Sequence, residues 1–279
     1  MRFVKPVIIT LALIQSISSY ADNFTNATHA MEVYLTRGTD FNTVLKASRF
    51  MKENPEEVID PLLEIVKTKG YKWQSCGSIL AQTKNEKVLF AYIELLSDNL
   101  YEKEEDGSRK QSPPRGVSYG RQIAEYLGKM EDKRALPVLK KAVEQGDSSV
   151  SRSALEALYY LNDVSMDDLF EMASKEKYRS TPHVILSIAF NDCRRNPTYF
   201  LTVLDRYIES FPDWRMGVGI AHMYKMESYR KLERYKDALK EADIALSIDE
   251  MFLHFDHINK RKKRILDEMK KGSKSGKRE

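Results

Sequence analysis

Residues 131–161 read EDKRALPVLKKAVEQGDSSVSRSALEALYYL, and this stretch decides the fold. Leu136, Leu139 and Val143 recur at three and four residues, which lays one apolar stripe along a helix. Asp132 offers a carboxylate to a backbone N–H at the start, and Pro137 stands near the first turn, where a missing N–H costs little. Gly146 closes that helix, and Asp147 or Ser148 caps the next. Val150, Ala154, Ala157, Leu158 and Leu161 then form a second stripe, and the small residues at 154 and 157 let another helix come close. The stretch is a helical hairpin.

The hairpin recurs. Upstream, EEVIDPLLEIVKTKGYKWQSCGSIL sets Pro61 opposite Pro137, Leu63 opposite Leu139 and Gly70 opposite Gly146, a shared offset of 76 residues. Downstream, residues 163–190 repeat the plan, with Ser165 as a cap, Asp167 and Asp168 in an acidic first turn, and Thr181-Pro182 opening the second helix. Asn196-Pro197 opens one more hairpin, and residues 88–96 and 123–127 carry the two arms of another. Corresponding positions fall near 62, 89, 138, 169 and 201, about 31 residues apart once the polar insertion 103–119 is removed. A single hairpin cannot bury its apolar faces alone, so this period predicts an all-α fold, an α-solenoid of stacked antiparallel helical hairpins.

The quoted stretch resembles a HEAT repeat of the short, phycobilisome-lyase-like type, through its Ala-Leu-Pro, its Asp turn, the Val-x-Arg step and an Ala-rich second helix. The resemblance implies that Asp147 and Arg152 tie neighbouring repeats together, although the first copy has Tyr71 and Cys76 at those places. From residue 213 the pattern changes. Tyr229, Tyr235, Ala238 and Ala245 fall at the aromatic and small positions of a tetratricopeptide unit, which this stretch resembles; Glu250 stands where that motif has Pro, and Lys225-Met226 replace its Leu-Gly. The expected organisation is therefore HEAT-like repeats over 22–212, a tetratricopeptide-like hairpin over 213–259, and a basic, partly disordered tail over 260–279.

The first residues combine basic Arg2 and Lys5, an apolar run from Val7 to Ile14, and small Ser19 and Ala21, the plan of a secretory signal peptide cut between Ala21 and Asp22. The run is shorter than the ~20 residues that span a bilayer. An exported protein, periplasmic or secreted, is the expectation, without a transmembrane segment. Asn23 and Asn26 head Asn-x-Thr sequons, which matter only in a eukaryotic secretory pathway.

The net charge of +4 is unevenly placed: residues 260–279 carry +7, and residues 22–259 about −5. Lys260, Arg261, Lys262, Lys263 and Arg264 suit an acidic partner or an anionic surface, at ~1 kcal/mol per basic residue near such a surface. An exported chain meets no nucleic acid, so that partner is not expected. Arg109, Lys110 and Arg115 in the insertion, with Pro113-Pro114 favouring an extended backbone, form a second candidate docking arm; the plainer alternative is a surface loop.

Candidate chemistry is sparse. His254 and His257 share a helix face, but zinc needs further ligands and no Cys or Glu cluster stands nearby. His183 and His222 lie in apolar helices, where packing is the simpler role. The chain has no Gly-rich phosphate loop, nucleophile elbow or His-Glu-x-x-His pair, so neither catalysis nor a cofactor is expected. Hairpins stack about 10 Å apart, so Cys76 and Cys193 would stand about 30 Å apart or more, too far for a disulfide, which needs α-carbons within about 7 Å. Three functions stay open: a non-catalytic protein-binding scaffold or adaptor, a solenoid tethered to an anionic surface by its tail, and a lyase-like or metal-dependent enzyme.

Overall fold

The computed structural model describes residues 24–70, 72–100, 117–175, 181–193, 195–248 and 255–275, leaving aside the side chains of Val117, Phe255 and 271–275. Among these residues every regular element is helical. The chain divides into two compact units between Asp163 and Val164. The first unit holds α1 (Ala27–Leu35), α2 (Phe41–Glu53), α3 (Ile59–Lys67), α4 (Trp73–Thr83), α5 (Glu86–Ser97), α6 (Val117–Met130), α7 (Leu136–Gln145) and α8 (Ser148–Tyr160). The second holds α9 (Met166–Ala173), α10 (Thr181–Asp192), α11 (Pro197–Ser210), α12 (Arg215–Lys231), α13 (Tyr235–Ile248) and α14 (Phe255–Ser275).

The local signals act where the sequence puts them. Asp132 accepts the Arg134 N–H, Pro137 lies in the first turn of α7, and Gly146 closes it. Asp147 caps α8 by accepting from the N–H groups of Ser149 and Val150. Ser165 and Asp168 form a reciprocal capping box on α9. Asn26 caps α1 by accepting from His29.

In the first unit α1/α2, α3/α4, α5/α6 and α7/α8 pair as hairpins. Second arms stack on second arms, α2 on α4, α4 on α6 and α6 on α8, while α3, α5 and α7 stack likewise. Val150, Ala154, Ala157, Leu158 and Leu161 are all buried, as the second stripe requires; in α7 the buried face is Val138, Leu139 and Ala142, with Leu136 and Val143 half-buried at its edge. The small residues work as expected: a β-carbon at Gly128 of α6 would stand 2.9 Å from that of Ala157 in α8. Lys84, Glu131 and Asn162, each following a second arm, all turn the chain with positive φ, so one turn geometry joins successive hairpins. This packing of each hairpin on the next fits the solenoid reading.

The ties between hairpins differ from those implied by the resemblance. Arg152 donates to the Ser148 carbonyl of its own helix, and the Asp147 bonds stay within α8, so both residues serve α8 rather than a neighbouring repeat. Successive first arms are joined instead by ion pairs: Asp60 with Lys87 at 2.5 Å and Glu86 with Arg134 near the helix starts, and in the second unit Asp167 in the first turn of α9 with Arg206 in the second half of α11.

Second-unit boundaries also differ from expectation. Trp214 and Tyr207 lie against Gly217, where a β-carbon would strike the indole ring, so α11 and α12 interlock across residue 213. Both helices belong to one compact unit. At the end, α14 runs on to Ser275 instead of losing order near 270. Ile258 and Ile265 are fully buried against Met223, Met226, Ala242 and Ala245, and Glu268 bonds Arg230, which holds the basic segment as a docked helix. The insertion ends at 116, because α6 begins at Val117 and buries Tyr119.

Both cysteines are buried thiols outside any disulfide, Cys76 in α4 and Cys193 just after α10. Burial pushes the Cys76 thiol up to about 11, so it stays protonated.

Candidate functional site

Helix α12 is the centre of the second unit, packed against α10, α11 and α13. The face of α12 turned toward α11 and α13 carries charge into the interior. Lys225, 8% exposed, bonds Asp205 of α11 at 2.7 Å and Glu241 of α13 at 2.9 Å. His222 Nδ1 lies 2.5 Å from the other Glu241 oxygen. Burial opposes the charge on Glu241, but the bonds from His222 and Lys225 outweigh it and hold the carboxyl below its ordinary range. Burial likewise opposes the Lys225 charge, and the bonds to Asp205 and Glu241 raise its pKa in spite of it.

A second group joins α12 to α14. Arg230, 11% exposed, pairs with buried Glu227 at 2.7 Å and reaches Glu268 of α14 at 3.2 Å. Arg264 bonds Glu268 at 2.9 Å, and Arg261 lies 4.0 Å from Glu227. These charges are matched with one another, and their arrangement fixes helices. They offer a rigid platform rather than a reactive group.

Between α10 and α14, α12 presents an open strip. Met216, Ile220 and Tyr224 recur every four residues along it, the last two packed in part against the buried cluster, and buried Glu227 and exposed Lys231 continue the same side. Met216 is 49% exposed, with Ile220 and Tyr224 half-buried. On α10, His183 and Phe190 lie two turns apart and are both exposed, Phe190 by 47%. His183 meets Trp214 edge-on at 4.3 Å, and Phe190 leans on Tyr224 at 5.4 Å. The rings thus bridge two helices into one apolar surface. Burial pushes the Tyr224 phenol up to about 12, partly offset by Arg261 nearby. Chemically, such a strip takes up apolar side chains.

The sequence-derived candidates scatter. Ala21 and Asp22, at the expected cleavage point, and Arg109, Lys110 and Arg115 lie outside the described residues, as does His254. His257 sits exposed on α14. Among the described residues no group of three or more His, Cys, Asp and Glu is placed to hold a metal ion. His222 is packed as expected, but within a charge network; His183 is exposed. Of the basic run, Arg261, Lys262 and Arg264 pair with Glu227, Asp243 and Glu268, while Lys260 and Lys263 have no ion-pair partner among the described residues. No described helix is long and apolar enough to cross a membrane.

Sequence reasoning did not single out Phe190, Trp214, Met216, Ile220 or Tyr224. A signal was present. Residues 181–190 read TPHVILSIAF, and α10 is apolar on more of its circumference than one buried stripe uses.

The chain matches no family model and no curated protein.

Proposed function

We propose that this chain is an exported, non-catalytic protein-binding scaffold or adaptor, and that the strip on α10 and α12 is its contact face. The single observation carrying the reading is the apolar line of Met216, Ile220 and Tyr224 on α12, joined to α10 where Phe190 leans on Tyr224; Phe190 and Met216 are exposed at its two ends, and Ile220 and Tyr224 between them are half-buried. Aromatic and Met side chains are the residue types enriched at the centres of protein interfaces. The platform beneath supports it, because a helix held on its far face by Lys225, Glu241 and Asp205 presents a fixed surface with little ordering cost on binding.

The basic run supports a surface tether less well, since three of its five cations already meet carboxylates of this chain. A photo-crosslinking residue placed at Met216 or Phe190, compared with one at exposed Lys240 on α13, tests the reading in native envelope and secreted fractions. One partner captured at 216 and 190 but not at 240 is expected. Equal capture at all three positions, or none at the strip, rejects it.

A further inference from the structure

We infer that the segment taken up by this strip is an acidic peptide bearing apolar side chains, an inference that rests on the reading above. The strip changes character along its length. At the N-terminal ends of α10 and α12 it is apolar, with Trp214, Met216 and Ile220. Toward their C-terminal ends, beyond the Phe190–Tyr224 contact, cations gather from three elements. Arg195 follows α10 with its side chain 82% exposed, Lys231 ends α12, and Arg261 of α14 stands beside Tyr224 and Glu227. Lys260 and Arg264 share one side of α14, a single turn apart.

Three of the carboxylates at that end are already engaged, and Glu233 is exposed. Asp192 faces Arg195 at 3.5 Å, Glu227 faces Arg230, and Glu268 faces Arg230 and Arg264. Lys231 and Lys260 have no ion-pair partner among the described residues, and even with exposed Glu233 counted, the cations of this end outnumber its carboxylates. An apolar surface that runs into such an end is complementary to a segment whose apolar side chains are followed by carboxylates.

Two other classes of macromolecule fit less well. Single-stranded nucleic acid needs open ring faces and cations that follow the backbone. Here the rings are half engaged with each other, at 70° and 41°, and the cations sit at one end. An anionic membrane favours a continuous basic crest, whereas the outer crest of α14 alternates Asp256, Lys260, Lys263 and Asp267.

The test is fluorescence anisotropy on the full chain with three labelled synthetic peptides of equal length. One carries leucine and phenylalanine followed by glutamates, the second replaces the glutamates with lysines, and the third replaces the apolar residues with serines. Vesicles containing phosphatidylserine form a fourth arm. Binding of the first peptide alone is expected, weakening as salt rises and falling by about tenfold or more in Met216→Ser/Phe190→Ser and in Lys231→Glu/Lys260→Glu. These residues are exposed, and melting curves of both variants confirm that they fold. Equal binding of the lysine or serine peptide overturns the inference, as does vesicle binding without peptide binding, or an affinity unmoved by either double variant. Crosslinking at Met216 combined with loss of peptide selectivity retains the contact face and rejects only the acidic partner.

Discussion

The two units keep polar groups in their interiors by opposite means. In the first, none of the described buried polar side chains is charged; beside Asn99, Ser151 and Ser153 they are phenols. Tyr92, Tyr119 and Tyr126 are buried and donate their hydroxyls to the backbone carbonyls of Gly77, Val66 and Gln74, each on another helix. Gly77 leaves room for the Tyr126 ring, which a β-carbon there would strike. The second unit adds buried charges to neutral Thr181, Ser228 and Tyr207: Lys225, Glu227 and Glu241 are each under a tenth exposed. A phenol on a carbonyl satisfies both partners without any net charge to desolvate. A buried ion pair has a large desolvation cost that only its own geometry offsets. The first unit is therefore built for indifference to solution conditions, and the second for a fixed α12 that depends on every partner being present.

The sharpest way to break this contrast is Arg230→Ala. It removes the closest cation from buried Glu227 and releases Glu268 from α12, so a loss of about 3–5 kcal/mol is expected, as for other buried pairs broken from one side. Chemical denaturation followed by hydrogen exchange would place the loss in α12 to α14 and leave α3 to α8 protected. Arg230→Met, which keeps the volume and removes the charge, combined with Glu227→Leu, should recover much of the loss. If Arg230→Ala is neutral, the charges are spectators.

Acid should separate the units next. Glu241 and Glu268 are held below the ordinary value of 4.5, so their contribution is present above that value and is lost as pH falls through the lowered folded values. The first unit's depressed carboxylates, Asp40, Glu131 and Asp132, lie at the surface and contribute little. Alkali acts on the phenols instead. Burial raises Tyr92 and Tyr126, so their contribution is present below the ordinary value of 10 and is lost as pH rises beyond it. Exchange protection measured against pH should show α12 and α13 opening first below 4.5, with α4 to α6 unchanged.

These differences explain what could be read from the residues alone. The apolar stripes of α7 and α8 are periodic, and Asp132, Pro137, Gly146 and Ser165 each act through one local bond, so the hairpins were visible before any coordinates. Charges carry no such period and are read as solvated by default. Lys225 was the exception worth noticing, since it follows Ala221 by four residues and Val218 by seven, both buried. The basic run of α14 misled for the same reason. Its composition suggests a solvated tail, while two isoleucines seven apart and one glutamate suffice to dock it. The strip was illegible because it consists of apolar residues beyond those the core needs, and a stripe's outer edge is set by which helices arrive beside it.

A smaller effect tests the first unit. Tyr92→Phe removes one hydroxyl from Gly77 and leaves the ring packed against Tyr126 at 5.6 Å, so a loss of about 1 kcal/mol is expected. The loss should not vary between low and high salt, because no net charge is involved. A value that falls steeply with ionic strength would show that the phenol cluster is electrostatically coupled to its surroundings, and the contrast between the units would narrow.

The smallest effects belong to the ion pairs joining successive first arms. Asp60 and Lys87 are each more than half exposed, and so is Asp167 opposite Arg206. Exposed pairs of this kind contribute roughly 0.2–1 kcal/mol and are screened by salt. Lys87→Met should therefore be near neutral. Arg206→Met should cost more than Lys87→Met, because Arg206 also lies over the Phe170 ring at 4.1 Å, and a cation there adds about 0.5–1 kcal/mol at an exposed site. A double-mutant cycle between Arg206 and Asp167, repeated with Phe170→Leu, divides the two contributions. If the Asp167 coupling vanishes in salt while the Phe170 coupling persists, the two units are stitched alike at their surfaces and differ only inside. If both vanish, the ring contact is incidental, and Arg206 belongs with the near-neutral pairs of the first unit.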